Sequence, residues 1–467
     1  MDWIQEEFGA IDCRDQRRNR RFQQVAAAWW QGVSVSVSDV CRQGWAETMA
    51  AYRLVKSKFV TLEVVLGPHQ AMTLARARQE PVVLAIQDTT ECDYTGKPIA
   101  RQTSDGVGPL NSSTRVGLLA HVSYLVTPDR RPLGVWRCLT LVRTALQDKA
   151  RTRAHKRQPL AEKESVRWYA GYQAACALAT QAPTTQVVSL ADREGDIYEI
   201  YVEAATMTHA AADWVIRACQ DRAVRVVGRK KTLALRLLLG LSPLRALATC
   251  AVPAAPGRTA RQAVCAVRTL TVTLRPPDRP DGKLAPVTVQ VVSVRECDPP
   301  AGEERLEWVL LTSLPITELP DVLRVVQYYA ARWEIEVFFR VLKTGCKVEH
   351  LQAHTLSRLL PYFGLCLVMA WRLQWLVRLG QVTPDMPCTG AFTEHEWQVI
   401  AVLATAQAPP AEAPALGTVL GWLAKLGGFV GRKQDGTPGA EVLWRGWQRI
   451  QEAVRLYDLL PRVARCV

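Results

Sequence analysis

Two aspartates and one helix stripe carry the residue types that could do chemistry in this sequence. Asp88 ends the apolar run Pro81-Val-Val-Leu-Ala-Ile-Gln-Asp88, and Asp192 ends Gln186-Val-Val-Ser-Leu-Ala-Asp192. Both runs read as short buried strands. Ligands of α/β sheets collect at strand ends, so an acid there aims a carboxylate into a cleft. The same positions also suit a turn former or a helix cap. The third acid lies in Tyr329-Ala-Ala-Arg332-Trp-Glu-Ile-Glu336-Val-Phe-Phe-Arg340-Val-Leu-Lys343. At about 100° per residue, Tyr329, Arg332, Glu336, Arg340 and Lys343 fall within an arc of roughly 80°. Val337, Phe338, Val341 and Leu342 occupy the other faces. A helix that is apolar on most sides is buried, so its polar stripe faces a cavity or a charged ligand. An i,i+4 salt-bridge ladder on a solvated face is the alternative.

One acid among three cations suits metal plus phosphate. Phosphodiester cleavage and strand transfer need charge stabilisation on both the attacking and the leaving oxygen, which two Mg²⁺ ions supply. Such hard cations take carboxylate oxygens and keep several waters, so Asp88, Asp192 and Glu336 suffice as protein ligands. Mn²⁺ suits the same donors. Arg332, Arg340 and Lys343 would then hold DNA phosphates. Glu334 points away from Glu336 on the helix and is not a candidate. His350 and His354 are spaced i,i+4 but lack a third ligand.

The rest of the chain must position these groups. Its 467 residues, 48% hydrophobic and 22% charged, suit two to four globular domains. The expected architecture is α/β: a core built on a mixed sheet of about five strands flanked by helices, with a β-rich insertion and helical domains at both ends. Residues 1–65 read as a helical N-terminal domain and 66–212 as the first part of the core. Residues 213–304 read as a separate, basic β-rich insertion. Residues 305–365 read as the second part of the core, with Glu307–Ser313 as its fifth strand and a long helix from Asp321 to Lys347. Residues 366–467 read as a helical C-terminal domain. The Gly-rich segment 96–109 has no strand-turn-helix context for a nucleotide fingerprint.

The net charge of +14 favours nucleic acid as partner. Residues 213–300 hold fifteen Lys and Arg against six Asp and Glu. Arg217, Arg229, Lys230 and Lys231 are candidate phosphate contacts there, and binding should be salt-sensitive. Arg17, Arg18, Arg20, Arg21 and Arg53 could contact DNA, or form a solvated helix face. Thirteen scattered cysteines, with no Cys-x-x-Cys pair, read as buried hydrophobes in a reducing cytoplasm. No secretory signal and no transmembrane helix are expected, and no membrane partner.

The spacing Tyr329, Arg332, Glu336, Lys343 resembles the signature of the IS-four family of bacterial insertion-sequence transposases. Asp88-Thr-Thr-Glu-Cys-Asp-Tyr94 is similar to its first acidic motif, and Leu190-Ala-Asp-Arg-Glu-Gly-Asp-Ile-Tyr198 to its second. Ala51-Tyr-Arg-Leu54, Glu162-Lys-Glu-Ser165, Trp308-Val-Leu-Leu-Thr312, Leu426-Gly-Gly-Phe429 and Trp444-Arg-Gly-Trp447 also resemble the family's Tn-five-type branch. The resemblance implies an RNase H-like catalytic core, an N-terminal DNA-end-binding domain in residues 1–65 and a C-terminal dimerisation domain in residues 366–467: a DDE transposase that binds terminal inverted repeats and works as a homodimer on two ends. It implies nicking, hairpin formation, hairpin opening and strand transfer to target DNA. Trp308 and Trp333 match positions that in the family hold a base flipped from the hairpin; a core role is the alternative. A structure-specific nuclease without strand transfer, or a DNA-binding repressor of transposition, are the other readings of the same residues.

Overall fold

The computed structural model describes residues 3–31, 45–112, 114–144, 158–207, 211–226, 231–252, 260–279, 282–432 and 436–463. The chain opens with helices α1 (Trp3–Phe8), α2 (Gln16–Gln31), α3 (Trp45–Val55) and α4 (Leu62–Ala77). Strands β1 (Val82–Asp93), β2 (Gly108–Pro109), β3 (Val116–Val126) and β4 (Pro132–Leu141) follow, then α5 (Val166–Gln181), β5 (Gln186–Ala191) and α6 (Tyr198–Thr206). Next come β6 (Asp213–Arg217), β7 (Ala223–Val226), β8 (Thr232–Ala234), α7 (Leu235–Leu241), β9 (Leu244–Val252), β10 (Arg261–Leu274), β11 (Val287–Glu296) and β12 (Glu307–Thr312). Helices α8 (Leu319–Ala331), α9 (Trp333–Arg340), α10 (Leu356–Val382), α11 (Glu394–Thr405), α12 (Leu416–Leu426) and α13 (Ala440–Val463) complete the fold.

The first five long strands lie in the order β4-β3-β1-β5-β6. β3 pairs antiparallel with both β1 and β4, while β1, β5 and β6 run parallel. This is the RNase H-like core. Alternation along β1 splits the interior in two, because successive side chains point to opposite faces. Leu84 and Ile86 join one apolar cluster with the C-terminal helices. Val83 and Ala85 join another with Trp168, Tyr172 and Trp214. Burial on both faces explains the uninterrupted apolar runs before Asp88 and Asp192.

Several expectations are corrected here. The fifth core strand is Asp213–Arg217, not Glu307–Ser313. Nor is the insertion a separate sheet: β12 pairs with β6 on one side and β11 on the other, and β10, β7 and β8 continue outward. Pairing partners leave no trace in local periodicity, so the sequence pattern did not reveal this continuity. The boundary placed at 65/66 falls within α4, and that at 365/366 within α10. The helix expected over 321–347 is divided. Pro320 and the reciprocal caps of Glu318 and Asp321 start α8, Arg332 separates it from α9, and a π turn follows over Val341–Gly345.

The Gly-rich segment has a structural task. Asp105 accepts from Leu356 N through its carbonyl at 2.7 Å and from Ser357 Oγ through its carboxylate at 2.6 Å, capping α10. α10 is long and apolar enough to cross a membrane by length and composition, yet 83% of its most apolar window is buried inside the protein.

Candidate active site

The parallel pairing of β1 with β5 ends at Ile86↔Leu190. Past that point the strands part, and the two aspartates stand at the opening. β1 does not stop at Asp88: it continues to Asp93, still paired with β3. Asp88 is therefore mid-strand, at the end of one ladder only. Asp192 follows β5 directly. Its Oδ1 accepts from Glu194 N at 2.8 Å and caps the short 3-10 turn Arg193–Gly195, so the helix-cap role foreseen for this position is filled. Asp88 Oδ1 accepts from Thr89 N at 2.7 Å.

α9 carries Glu336 to the same place, and Arg332 joins the acids. Its Nη1 donates to Asp88 Oδ2 at 3.0 Å and its Nη2 to Glu336 Oε1 at 2.6 Å. The i,i+4 pair of the ladder reading thus exists. Yet Arg332 is only 14% exposed and spans to β1, so this is no solvated face. Carboxylates take the Arg332 donors here. Burial pushes the Asp88 carboxyl up to about 6; Arg332 opposes this, while Asp192 and Glu336 add to it. Burial lowers the Arg332 guanidinium, but Tyr329, Asp88 and Glu336 outweigh it and hold the group well above its ordinary range. Asp88 therefore lies within electrostatic reach of both Asp192 and Glu336.

The other stripe residues divide. Tyr329 is buried, meets the edge of Trp308 at 5.1 Å and lies 5.9 Å from the Arg332 guanidinium. Arg217 donates to Glu307 O at 2.8 Å and neighbours Tyr329. Trp308, Tyr329, Arg332 and Trp333 line a cleft of about 1000 Å³ with Arg217, Arg261 and Arg305. Trp308 and Trp333 are half-buried at its wall rather than sealed in the core. Arg261 and Arg305 are not singled out by the sequence: Arg261 opens β10 and pairs with Glu296 and Glu303, and Arg305 lies between strands. Lys343 pairs with Glu349 at 3.3 Å, and Arg340 is exposed.

The remaining candidates lie apart from this cluster. Arg17, Arg18, Arg20 and Arg21 lie on α2, and Arg53 on α3. Arg17, Arg20 and Arg53 are exposed; Arg18 lies 4.7 Å over the Phe59 ring. Lys231 is exposed at the start of β8, while Arg229 and Lys230 fall outside the described residues, as does the basic loop 148–157. His350 and His354 do not share a helix face, because 351–354 is not helical.

Among the described residues, no group of three His, Cys, Asp or Glu side chains is gathered closely enough to hold a metal ion. Arg332 stands between two of the candidate acids instead. The donor set fits a hard divalent cation nonetheless: it is all carboxylate, drawn from three elements, and already accommodates one positive charge.

Three family models match the chain. Residues 1–60 match the transposase DNA-binding model, 120–371 the transposase DDE domain, and 368–458 the transposase Tn5 dimerisation domain. The DDE match covers more than half of the chain and contains Asp192 and Glu336, with Asp88 preceding it. Enzymes with this domain act on DNA and generally use divalent metal ions. The flanking matches make the chain a DNA-binding, dimer-forming protein. The chain therefore belongs to the transposase DDE-domain family, as a transposase of the Tn5 type.

Proposed function

We propose that this transposase works by cut and paste, with Asp88, Asp192 and Glu336 as its catalytic acids. The observation that carries the reading is the meeting of Asp88 and Glu336 on one guanidinium, with the Asp192 charge beside them. The three carboxylates would hold two divalent ions, Mg²⁺ or Mn²⁺, which supply charge stabilisation at the attacking and leaving oxygens. Arg332 exchanges its carboxylate partners for a DNA phosphate as substrate enters. Arg340 and Lys343 hold neighbouring phosphates, and Arg17, Arg18, Arg20, Arg21 and Arg53 contact the terminal inverted repeat. Arg217 and Lys231 add phosphate contacts along the insertion.

The cleft of Trp308 and Trp333 is the place for a base flipped from a hairpin end. Flipping costs a few kcal/mol, and stacking on indole offsets it. Two copies, joined through residues 366–467, bring two ends together before strand transfer to target DNA. The compartment proposed is the bacterial cytoplasm.

The test uses labelled DNA carrying the element's flanking inverted repeats, Mg²⁺ and a target plasmid, beside an Asp192→Ala control. Nicks, hairpins and joined products that vanish in the control are expected. Cleavage without joining would favour a structure-specific nuclease. Binding without metal-dependent cleavage would favour a repressor.

A further inference from the structure

We propose that Arg167 is a positioning residue that clamps the first two candidate acids to each other; this rests on the transposase reading of the site. Arg167 stands in the first turn of α5 with its side chain 9% exposed. Its Nε donates to Thr89 Oγ1 at 2.9 Å, and its Nη2 to Glu194 Oε2 at 2.6 Å. Thr89 and Glu194 are the two residues whose backbone N–H groups hold Asp88 and Asp192. Each acid thus accepts from one backbone N–H, and one guanidinium grips both residues that bear these groups.

The rest of the arrangement fixes Arg167 itself. Nη1 donates to the Glu164 carbonyl at 2.9 Å and lies 3.3 Å from its Oε1. The Thr89 hydroxyl, accepting from Arg167, lies 2.9 Å from His121 Nδ1. Burial, with the Arg167 and Arg137 charges, pushes the His121 imidazole down to about 3. The ring is therefore neutral, and its Nδ1 can accept the Thr89 hydroxyl proton. A planar guanidinium with a rigid fork holds two acceptors at a set separation, which a lysine ammonium cannot do. The β1–β5 ladder has ended by Asp88 and Asp192, so no ladder hydrogen bond between those two strands fixes their spacing there. The Arg167 clamp bridges that gap.

The test compares wild type with Arg167→Met, Arg167→Lys, Glu194→Gln and the Arg167→Met/Glu194→Gln double variant. It measures Mn²⁺ binding to the protein–end-DNA complex by electron paramagnetic resonance, single-turnover end cleavage, and end binding by gel shift. Loss of such an outer partner typically costs about 10–100-fold in metal affinity, so Arg167→Met should weaken Mn²⁺ binding by about 10-fold or more while end binding holds. Cleavage should fall by about 100-fold. Arg167→Lys should recover part of both. Glu194 is 62% exposed, so Glu194→Gln leaves folding intact and should shift Mn²⁺ binding in the same direction by less. The double variant should be no worse than Arg167→Met alone.

Wild-type Mn²⁺ affinity in Arg167→Met, or additive effects in the double variant, would overturn the clamp. If Arg167→Met does not fold, Glu194→Gln decides, and unchanged Mn²⁺ affinity there overturns it. A wild type that binds ends but makes no metal-dependent cut would bring down the transposase reading and the clamp together. A wild type that cuts beside variants with normal metal affinity would bring down the clamp alone.

Discussion

Two buried clusters in this protein set a carboxylate against a guanidinium, and they differ in charge balance. Glu7 of α1 is 1% exposed; it meets His69 Nδ1 at 2.5 Å and Arg76 Nη1 at 2.6 Å. His69 Nε2 accepts from Val135 N at 3.0 Å, and Arg76 lies 4.3 Å over the Trp371 ring of α10. Burial raises the Glu7 carboxyl, but His69 and Arg76 outweigh it and hold the group below its ordinary range. Asp88 is half-buried, shares Arg332 with Glu336 and faces Asp192, and it is pushed up to about 6. One cluster has its charges matched and ties α1, α4 and α10 together. The other is short of positive charge, which is the condition of a site built to receive a cation.

The largest effects should separate the clusters by kind. Asp88→Ala, Asp192→Ala and Glu336→Ala should each lower end cleavage by at least about 1000-fold in single-turnover assays, with end binding retained. Lost binding instead would move that acid into the structural class. Glu7→Ala should destabilise by about 3–5 kcal/mol in urea unfolding, because it strips a buried His69 and a half-buried Arg76 of their acceptor. A loss below about 1 kcal/mol would show that the Glu7 cluster is not fully desolvated.

The contrast extends to the tryptophans. Trp308→Ala should slow hairpin formation and opening by a factor equivalent to about 1–3 kcal/mol, the usual worth of one base–aromatic stack. Its urea midpoint should stay near wild type. Unfolding without a selective hairpin defect would make Trp308 a core residue after all.

pH sharpens the comparison further. The Asp88 pKa of about 6 in the fold lies above about 3.9 in the unfolded chain. Its contribution to stability is therefore fully present below about pH 4 and is lost as pH rises through about 6. Glu7 is depressed, so its contribution is present above about pH 4.3 and is lost as pH falls through the folded value. Urea midpoints of metal-free wild type, Asp88→Asn and Glu7→Gln between pH 3 and 7 should show wild type losing ground to Asp88→Asn as pH rises. Against Glu7→Gln, wild type should gain ground. Parallel curves would refute the difference in charge balance. The smallest effect is expected at the N-terminal arm: Arg20→Ala should reduce the slope of log affinity against log salt by about 1.

What was legible in the sequence was local. The stripe from Tyr329 to Lys343 came from helical periodicity alone, and Asp192 from an apolar run that ends where β5 ends. Beyond Asp88 the chain reads Thr-Thr-Glu-Cys-Asp93. Thr90 and Cys92 are buried while their neighbours are half-exposed, so a period-2 signal was present but muted by polar residues. The Arg332–Asp88 contact joins residues far apart in sequence and had no sequence signal. Neither had the Arg167 contacts to Thr89 and Glu194. The pairing of β12 with β6 likewise depends on which strand comes to lie beside which.

That pairing has a consequence for how the molecule bears load. Residues 213–304 leave and re-enter the core through β6 and β12, two antiparallel neighbours stitched at Leu310↔Arg217, Leu311↔Ile216 and Thr312↔Val215. The basic segment is therefore no arm on a tether. Load on its outer strands would strain the same hydrogen-bonded lattice that contains the strand bearing Asp88, because its first strand is also the last strand of the core.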